Sequence, residues 1–335
     1  MRIAIFGAGV VGGFLAARLA EAGAVAVARG ASLAAIDANG LTLVEGGSSR
    51  TVRVPVTGNA RSLGPQDLVI LTLKAHSLPG AAPEINALCG PDTVLVAAQN
   101  GLPWWYFYRE GGTLDGERIK AVDPDGSLYA WLDPRRVLGC VVQIAATSPE
   151  PGVIRHQFGN RFVLGEPDST LSERLRDVAE VLTAGGLQAP TTTAIRREIW
   201  QKLWGNIAFN PLSVLTGAGM DRLIGDPGTR HIASAIMDEA ERVANRLGIG
   251  FDETREARID RLVALGGYKT SMLQDVEAGR PVELGALCEA VMEIASRFEI
   301  PTPTLSVVAT LAKLRAAQAE NQGSRPASSG ASMPS

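Results

Sequence analysis

The chain opens on a strand followed at once by a glycine loop, and that pairing restricts the fold more than any other feature. Residues 2–6 (RIAIF) alternate around Ile3 and Ile5 as a short buried strand. Gly7-Ala8-Gly9-Val10-Val11-Gly12 follows with the spacing G-x-G-x-x-G. A helix carrying Phe14, Leu15 and Leu19 ends near Gly23, and residues 24–28 read as a second strand. In such a βαβ unit each glycine has its own task. Gly7 permits the tight turn, Gly9 lets the backbone approach a pyrophosphate, and Gly12 lets the helix pack on the strand. Free N–H groups and the dipole at the helix N-terminus favour phosphate. Residues Gly7, Ala8, Gly9, Val10, Val11 and Gly12 are therefore the candidate cofactor-binding loop for a dinucleotide.

The end of the second strand selects between cofactors. An acid there would hold a ribose 2′-hydroxyl. This chain has Ala28-Arg29-Gly30-Ala31-Ser32, and no acid until Asp37. Arg29 suits a 2′-phosphate, which favours NADP over NAD. The competing reading makes Arg29 a surface arginine beside a loop.

Further strands follow. Residues 41–43 and 51–56 read as a hairpin or meander around Gly46-Gly47. Residues 67–73 (DLVILTL) form a continuous apolar run, the mark of a parallel strand covered on both faces. That run ends in Lys74, at the edge where such sheets bind ligands, although a plain strand-end cation fits too. Residues 93–98 are another buried strand, ending in Gln99-Asn100-Gly101. Asn100 is either a turn residue or an amide at the cleft. The aromatic run WWYFY, residues 104–108, reads as a pocket wall or interface, because the GGTLDGE that follows is loop-like. Residues 137–145 form one more strand. Residues 152–156 and 161–164 read as an antiparallel pair around Gly159-Asn160, with His156 structural. Residues 168–184 predict an amphipathic helix capped near Ser169 or Thr170.

From residue 194 the pattern is helical almost throughout, with the main segments at 231–247, 253–265, 284–298 and 303–318. The most informative stretch is REIWQKLWGNIAFNPLSVLTG. Ile199, Leu203 and Ile207 recur at a helical period, thickened by Trp200, Trp204 and Phe209. Lys202, Asn206 and Asn210 stand at i, i+4 and i+8, one column on one face. The column either faces water or lines a cleft and grips a small polar ligand. Pro211 predicts a kink or an end to the helix. Residues 269–283 are unusually polar for a connection. Within them, Ser271 is a cleft residue or an N-cap, and Glu283 a cleft residue or a first-turn acid.

At 335 residues the chain divides into an N-terminal domain, 1–190, a helical domain, 191–320, and a tail, 321–335, whose Ser, Ala, Pro and Gly predict disorder. The fold class is α/β: a Rossmann-type dinucleotide-binding domain followed by an all-helical C-terminal domain. Cys89, Cys140 and Cys288 are odd in number and widely spaced, so no disulfide framework or metal site is expected, and a reducing cytoplasm fits. The start has no basic segment leading into a long apolar one, so no signal peptide is expected. Net charge is −3 with acids and bases interspersed, which argues against nucleic acid or a membrane surface as partner. A homodimer is left open, through the helical domain or the aromatic stretch.

Taken together, GAGVVG, LTLKAHS, QNGLPWW, EIWQKLWGNIAFNPLSVLTG and TSMLQDVEAGRPVE resemble the ketopantoate reductase (2-dehydropantoate 2-reductase) family, in order and with similar spacing over about residues 1–320. The resemblance implies NADPH-dependent reduction of a 2-oxo acid to a 2-hydroxy acid, as in pantothenate biosynthesis. It implies Lys202 as proton donor, with Asn206, Asn210 and Ser271 holding the substrate and Asn100 contacting cofactor and substrate. It places Arg29, Lys74, Ala145 and Glu283 at the cofactor. No metal is implied. Two departures, Gly219-Met220-Asp221 and the long aromatic stretch, point to a different or bulkier 2-oxo acid as an alternative substrate. A dinucleotide-binding regulator without turnover is the alternative from another class.

Overall fold

The computed structural model describes residues 1–263 and 266–323. The chain forms two compact units, the first Met1–Ile199 and the second beginning at Trp200. In the first unit, β1 (Ile3–Phe6), α1 (Val10–Arg18), β2 (Val25–Val27) and α2 (Gly30–Asn39) lead to the hairpin β3 (Leu41–Glu45) and β4 (Ser48–Val52), turning on Gly46-Gly47 as expected, although its second strand ends at Val52 and Val56 joins a separate strand beside β2. Next come β5 (Val56–Thr57), β6 (Gln66–Leu71), α3 (Leu78–Asn86), β7 (Cys89–Ala97) and α4 (Ser127–Trp131). The unit closes with β8 (Val137–Thr147), β9 (Val153–Gly165), α5 (Glu173–Ala184), β10 (Thr191–Thr192) and the start of α6 (Ile195–Thr216).

One sheet runs in the order β4-β3-β9-β8-β7-β6-β1-β2-β5, with β10 beside β9. The six strands from β8 to β5 are all parallel. They read as apolar runs because helices cover both faces, and Ile5, Leu68, Ile70, Val96 and Leu138 are buried. Phe14 and Leu15 of α1 lie in the same core; burying each contributes about 1.5–3 kcal/mol. The strand order reverses between β1 and β6, the switch point that opens a crevice at the carboxyl edge of such sheets.

Four expectations are corrected. Residues 152–156 and 161–164 do not pair with each other; both belong to β9, which runs antiparallel to β8. Gly159 is a bulge, not a turn. Its φ is +77°, and a Cβ there would stand 2.5 Å from the Gln143 carbonyl oxygen, so only glycine lets β9 press this close to β8. Helix α5 is capped by Ser172, whose Oγ accepts from the Leu175 N–H at 3.1 Å. Ser169 has φ +64°, and Thr170 spends its hydroxyl on Asp168, so neither can cap. Of the kink or end expected at Pro211, the end is excluded, since α6 runs through Pro211 to Thr216.

The fourth correction concerns the aromatic run, most of which is core: Trp104, Trp105, Tyr106 and Phe107 are all buried, and Tyr108, half-buried, lines a cavity. Trp105 lies against β8, where a Cβ on Gly139 would come within 2.6 Å of its ring. Arg196 fastens the segment from below, donating from Nε to the Tyr106 carbonyl at 2.7 Å, from Nη2 to that of Tyr108 at 2.8 Å, and from Nη1 to that of Pro167. Burial pushes the Arg196 pKa down, and the three carbonyls answer its charge.

In the second unit α6 continues, followed by α7 (Met220–Gly225), α8 (Pro227–Arg246), α9 (Arg255–Val263), α10 (Ser271–Glu277), a π-helical segment (Gly285–Glu289), α11 (Ala290–Arg297) and α12 (Pro303–Gly323). Trp204 anchors α6. Its ring stacks on Phe251 at 4.0 Å, and its Nε1 donates to the Met237 carbonyl at 2.9 Å. Buried Glu239 of α8 accepts from the Thr304 and Leu305 N–H groups, both at 2.9 Å, and so caps α12. Residues 321–323 of the expected tail belong to α12; the remainder, 324–335, lies outside the described residues, as do 264–265 of the helix expected over 253–265.

Candidate active site

The cofactor candidates of the first unit fall on one edge of the sheet. Gly7-Ala8-Gly9 follow β1 directly, Arg29 comes two residues after β2, Lys74 three after β6, and Asn100 three after β7. Ala145 lies in β8, beyond the last β7 partner, Gly139. The glycine loop, Arg29, Lys74 and Asn100 follow the carboxyl ends of parallel strands, the edge at which such sheets bind ligands, whereas Ala145 lies within β8.

The loop geometry separates the three glycines. Gly7 has φ +108°, a conformation open to glycine at little cost, and its N–H donates to the Val27 carbonyl at 3.0 Å. A Cβ on Gly12 would lie 1.8 Å from the Gly7 carbonyl oxygen and 2.5 Å from Thr72 Oγ1. Gly9 is different. Its backbone is extended, with φ −77°, and a Cβ there meets nothing within 4 Å. The protein itself places no demand on the missing side chain, and the open space beside Gly9, at the N-cap of α1, fits the close approach of a pyrophosphate. Val10 and Val11 begin α1. Thr72 was not singled out from the sequence. Its hydroxyl donates to the Gly7 carbonyl at 2.6 Å and pins the loop to the end of β6; the only signal was a hydroxyl inside an otherwise apolar run, one residue before its end.

Arg29 is the N-cap residue of α2. Its Nη2 pairs with Glu84 Oε1 of α3 at 2.6 Å, with 63% and 34% of the two side chains exposed. Lys74 stands at the N-terminus of the short 3-10 turn Ala75–Ser77. Asn100 is half-buried, and neighbouring Gln99 clips β7 to β6 by donating Nε2 to the Leu71 carbonyl at 2.7 Å. His156 is structural: its ring stacks on Phe14 at 4.9 Å and its Nε2 bonds the Gly159 carbonyl oxygen.

In the second unit, Lys202 and Asn206 are half-buried and Asn210 is buried. Ile207, Ala208 and Phe209 between them are buried as well. The polar column thus runs along a helix with little solvent face, which disfavours the reading of an ordinary wet side. Thr270, not Ser271, caps α10, accepting from the Leu273 N–H at 3.1 Å. That leaves the exposed Ser271 hydroxyl at the first position of the helix. Two buried hydroxyls lock this turn to α6: Thr270 donates to Ser213 Oγ at 2.5 Å, and Ser213 donates to the Asn210 carbonyl at 2.6 Å. The structure therefore ties the Thr270 hydroxyl, at the start of α10, to the Asn210 carbonyl of α6. Glu283 enters on another segment, two residues before the π-helical turn that replaces the first α-turn of the helix expected over 284–298. Such turns are frequent at functional sites. Met220 is buried and donates its N–H to the Tyr268 carbonyl at 3.0 Å. No group of three or more His, Cys, Asp and Glu among the described residues is placed to hold a metal. No helix among them is long and apolar enough to cross a membrane.

Comparison with known proteins decides the family. The ketopantoate reductase PanE/ApbA family matches residues 3–169, and its C-terminal family matches residues 194–316. The chain belongs to the ketopantoate reductase family. A 2-dehydropantoate 2-reductase from Mesorhizobium japonicum is 48% identical over 316 residues, covering 93% of this chain and 97% of that one. Among solved structures, a candidate ketopantoate reductase from Ralstonia solanacearum is 44% identical with TM-score 0.90, covering 95% and 98% of the two chains. The 2-dehydropantoate 2-reductase of Geobacter metallireducens is 27% identical with TM-score 0.82, covering 94% and 99%. The protein is thus a dinucleotide-dependent oxidoreductase of this family, with its parallel-sheet and helical units.

Proposed function

We propose that the protein reduces 2-dehydropantoate (ketopantoate) to pantoate with NADPH, and that Lys202 supplies the proton. The observation that carries this reading is the column Lys202, Asn206, Asn210 on a helix otherwise packed in apolar side chains, with Thr270, the neighbour of Ser271, latched through Ser213 to the Asn210 carbonyl. A dinucleotide held there would supply the hydride that reduces the ketone carbon. Negative charge then grows on the ketone oxygen. The Lys202 ammonium stabilises that charge by hydrogen bonding and hands over its proton. Asn206, Asn210 and the Ser271 hydroxyl hold the carboxylate and hydroxyl groups of the substrate, and Asn100 contacts substrate and cofactor, so that the carbonyl is presented in one orientation. Gly7 to Gly12 would hold the pyrophosphate of the dinucleotide, Arg29 its 2′-phosphate and Lys74 a further negative charge, with Ala145 and Glu283 toward the nicotinamide end.

The bulkier-substrate alternative rests on Met220 and the aromatic run; Met220 and Trp104 to Phe107 are buried, while Tyr108 is half-buried and lines a cavity with Arg109, Arg135 and Arg174. The test is the initial rate of NADPH oxidation with ketopantoate, set beside a panel of bulkier 2-oxo acids and repeated with NADH. Ketopantoate should be the fastest substrate and NADPH the preferred cofactor. A faster bulkier acid would move the substrate assignment, and tight NADPH binding with no substrate-dependent oxidation would support the regulator instead.

A further inference from the structure

The candidate 2′-phosphate ligand already holds an anion of the chain's own. Arg29 caps the N-terminus of α2, a ten-residue helix with no acid in its first turn. Space around that terminus is open, since a Cβ on Gly30 would meet nothing within 4 Å. Yet the guanidinium reaches back to α3, where Glu84 Oε1 receives it at 2.6 Å. A carboxylate in a charge-assisted hydrogen bond occupies the donors that a phosphate would otherwise take. We propose that Glu84 is a specificity-tuning residue: its carboxylate competes with the 2′-phosphate of the dinucleotide for Arg29 and so narrows the preference for NADPH over NADH. The proposal rests on the reading of Arg29 as the 2′-phosphate ligand.

The physics sets both sign and size. NADPH must break or share the Arg29–Glu84 pair, and its phosphate meets the Glu84 charge nearby. NADH has no group to place there and leaves the pair intact. Both side chains are substantially exposed, so the pair is screened and weak, and its removal is worth about a two- to fivefold change in affinity. The effect grows as salt is lowered, because the screening length lengthens.

The experiment is a titration of the purified full chain with NADPH and with NADH at low ionic strength, followed by nucleotide fluorescence. It uses wild type, Glu84→Gln, Arg29→Ala and the double variant. Glu84→Gln should tighten NADPH about two- to fivefold and leave NADH unchanged. The gain should vanish in the Arg29→Ala background, where the competition has no object. If Glu84→Gln leaves NADPH unchanged, weakens it, or tightens both nucleotides alike, the proposal is overturned. Arg29→Ala alone judges the underlying reading: it should weaken NADPH about tenfold or more and spare NADH. Equal binding by that variant would remove Arg29 from the site, whereas an effect of Arg29→Ala without one of Glu84→Gln would remove Glu84 only.

Discussion

Gly9 offers a sharp separation of binding from folding. Gly9→Ala adds a methyl group at an extended backbone position, φ −77°, with nothing within 4 Å. The folded protein meets no clash, and the unfolded chain loses some freedom, so stability should hold or rise by about 0.4–1 kcal/mol. The same methyl enters the space through which a pyrophosphate reaches the N–H groups of the loop. Losing one charge-assisted hydrogen bond there costs about 1.5–3 kcal/mol, which is about 10- to 150-fold in dissociation constant. Gly12→Ala is the control with the opposite profile. Its Cβ would sit 1.8 Å from the Gly7 carbonyl oxygen, so the loop or α1 must move, and a stability loss of about 1–3 kcal/mol should accompany the loss of binding. Thermal unfolding of the free proteins and NADPH titration separate the two variants. If Gly9→Ala binds NADPH within threefold of wild type, the open space beside Gly9 is not a phosphate approach and the cofactor placement is wrong.

Other outcomes follow from the same geometry. Ser213→Ala cuts the hydroxyl chain that joins Thr270, next to Ser271, to the Asn210 carbonyl; KM for the 2-oxo acid should rise several-fold with kcat less affected, in steady-state assays at saturating NADPH, and thermal stability should drop because Thr270 loses a buried acceptor. Burial pushes the Cys89 thiol from its ordinary 9.0 up to about 11. Its folded pKa is therefore above the unfolded one, so this contribution is complete below about pH 9 and is lost as pH rises toward about 11. Denaturant midpoints from neutral to alkaline pH should fall more steeply for wild type than for Cys89→Ala. Arg196→Met should lower thermal stability strongly, since Arg196 serves three carbonyls around the buried aromatic segment.

The parallel core was legible because strands covered on both faces must be apolar throughout, and residues 67–73 and 93–98 could be little else. The glycine loop was legible because each glycine answers a separate steric demand, which Gly7 and Gly12 meet in the structure. Other features depended on partners far away in sequence. Gly159-Asn160 has the composition of a turn, but β8 continues alongside and turns the pair into a bulge. Three hydroxyl residues stood near the start of α5, and only the backbone geometry gives the cap to Ser172. The aromatic run sits in irregular backbone, and its burial comes from β8 and Arg196 rather than from any local period. The latch through Ser213 and Thr270 joins residues 57 apart, and nothing in either segment announces the other. The column of Lys202, Asn206 and Asn210 was legible from spacing alone, because a helix fixes what residues four apart must share.

The central claim is that Lys202 donates the proton, and the most direct measurement compares wild type with Lys202→Ala for NADPH-dependent reduction of ketopantoate, with NADPH affinity measured in parallel. The account predicts that kcat falls about 10²–10⁴-fold while NADPH binding is retained. Turnover within tenfold of wild type would contradict it.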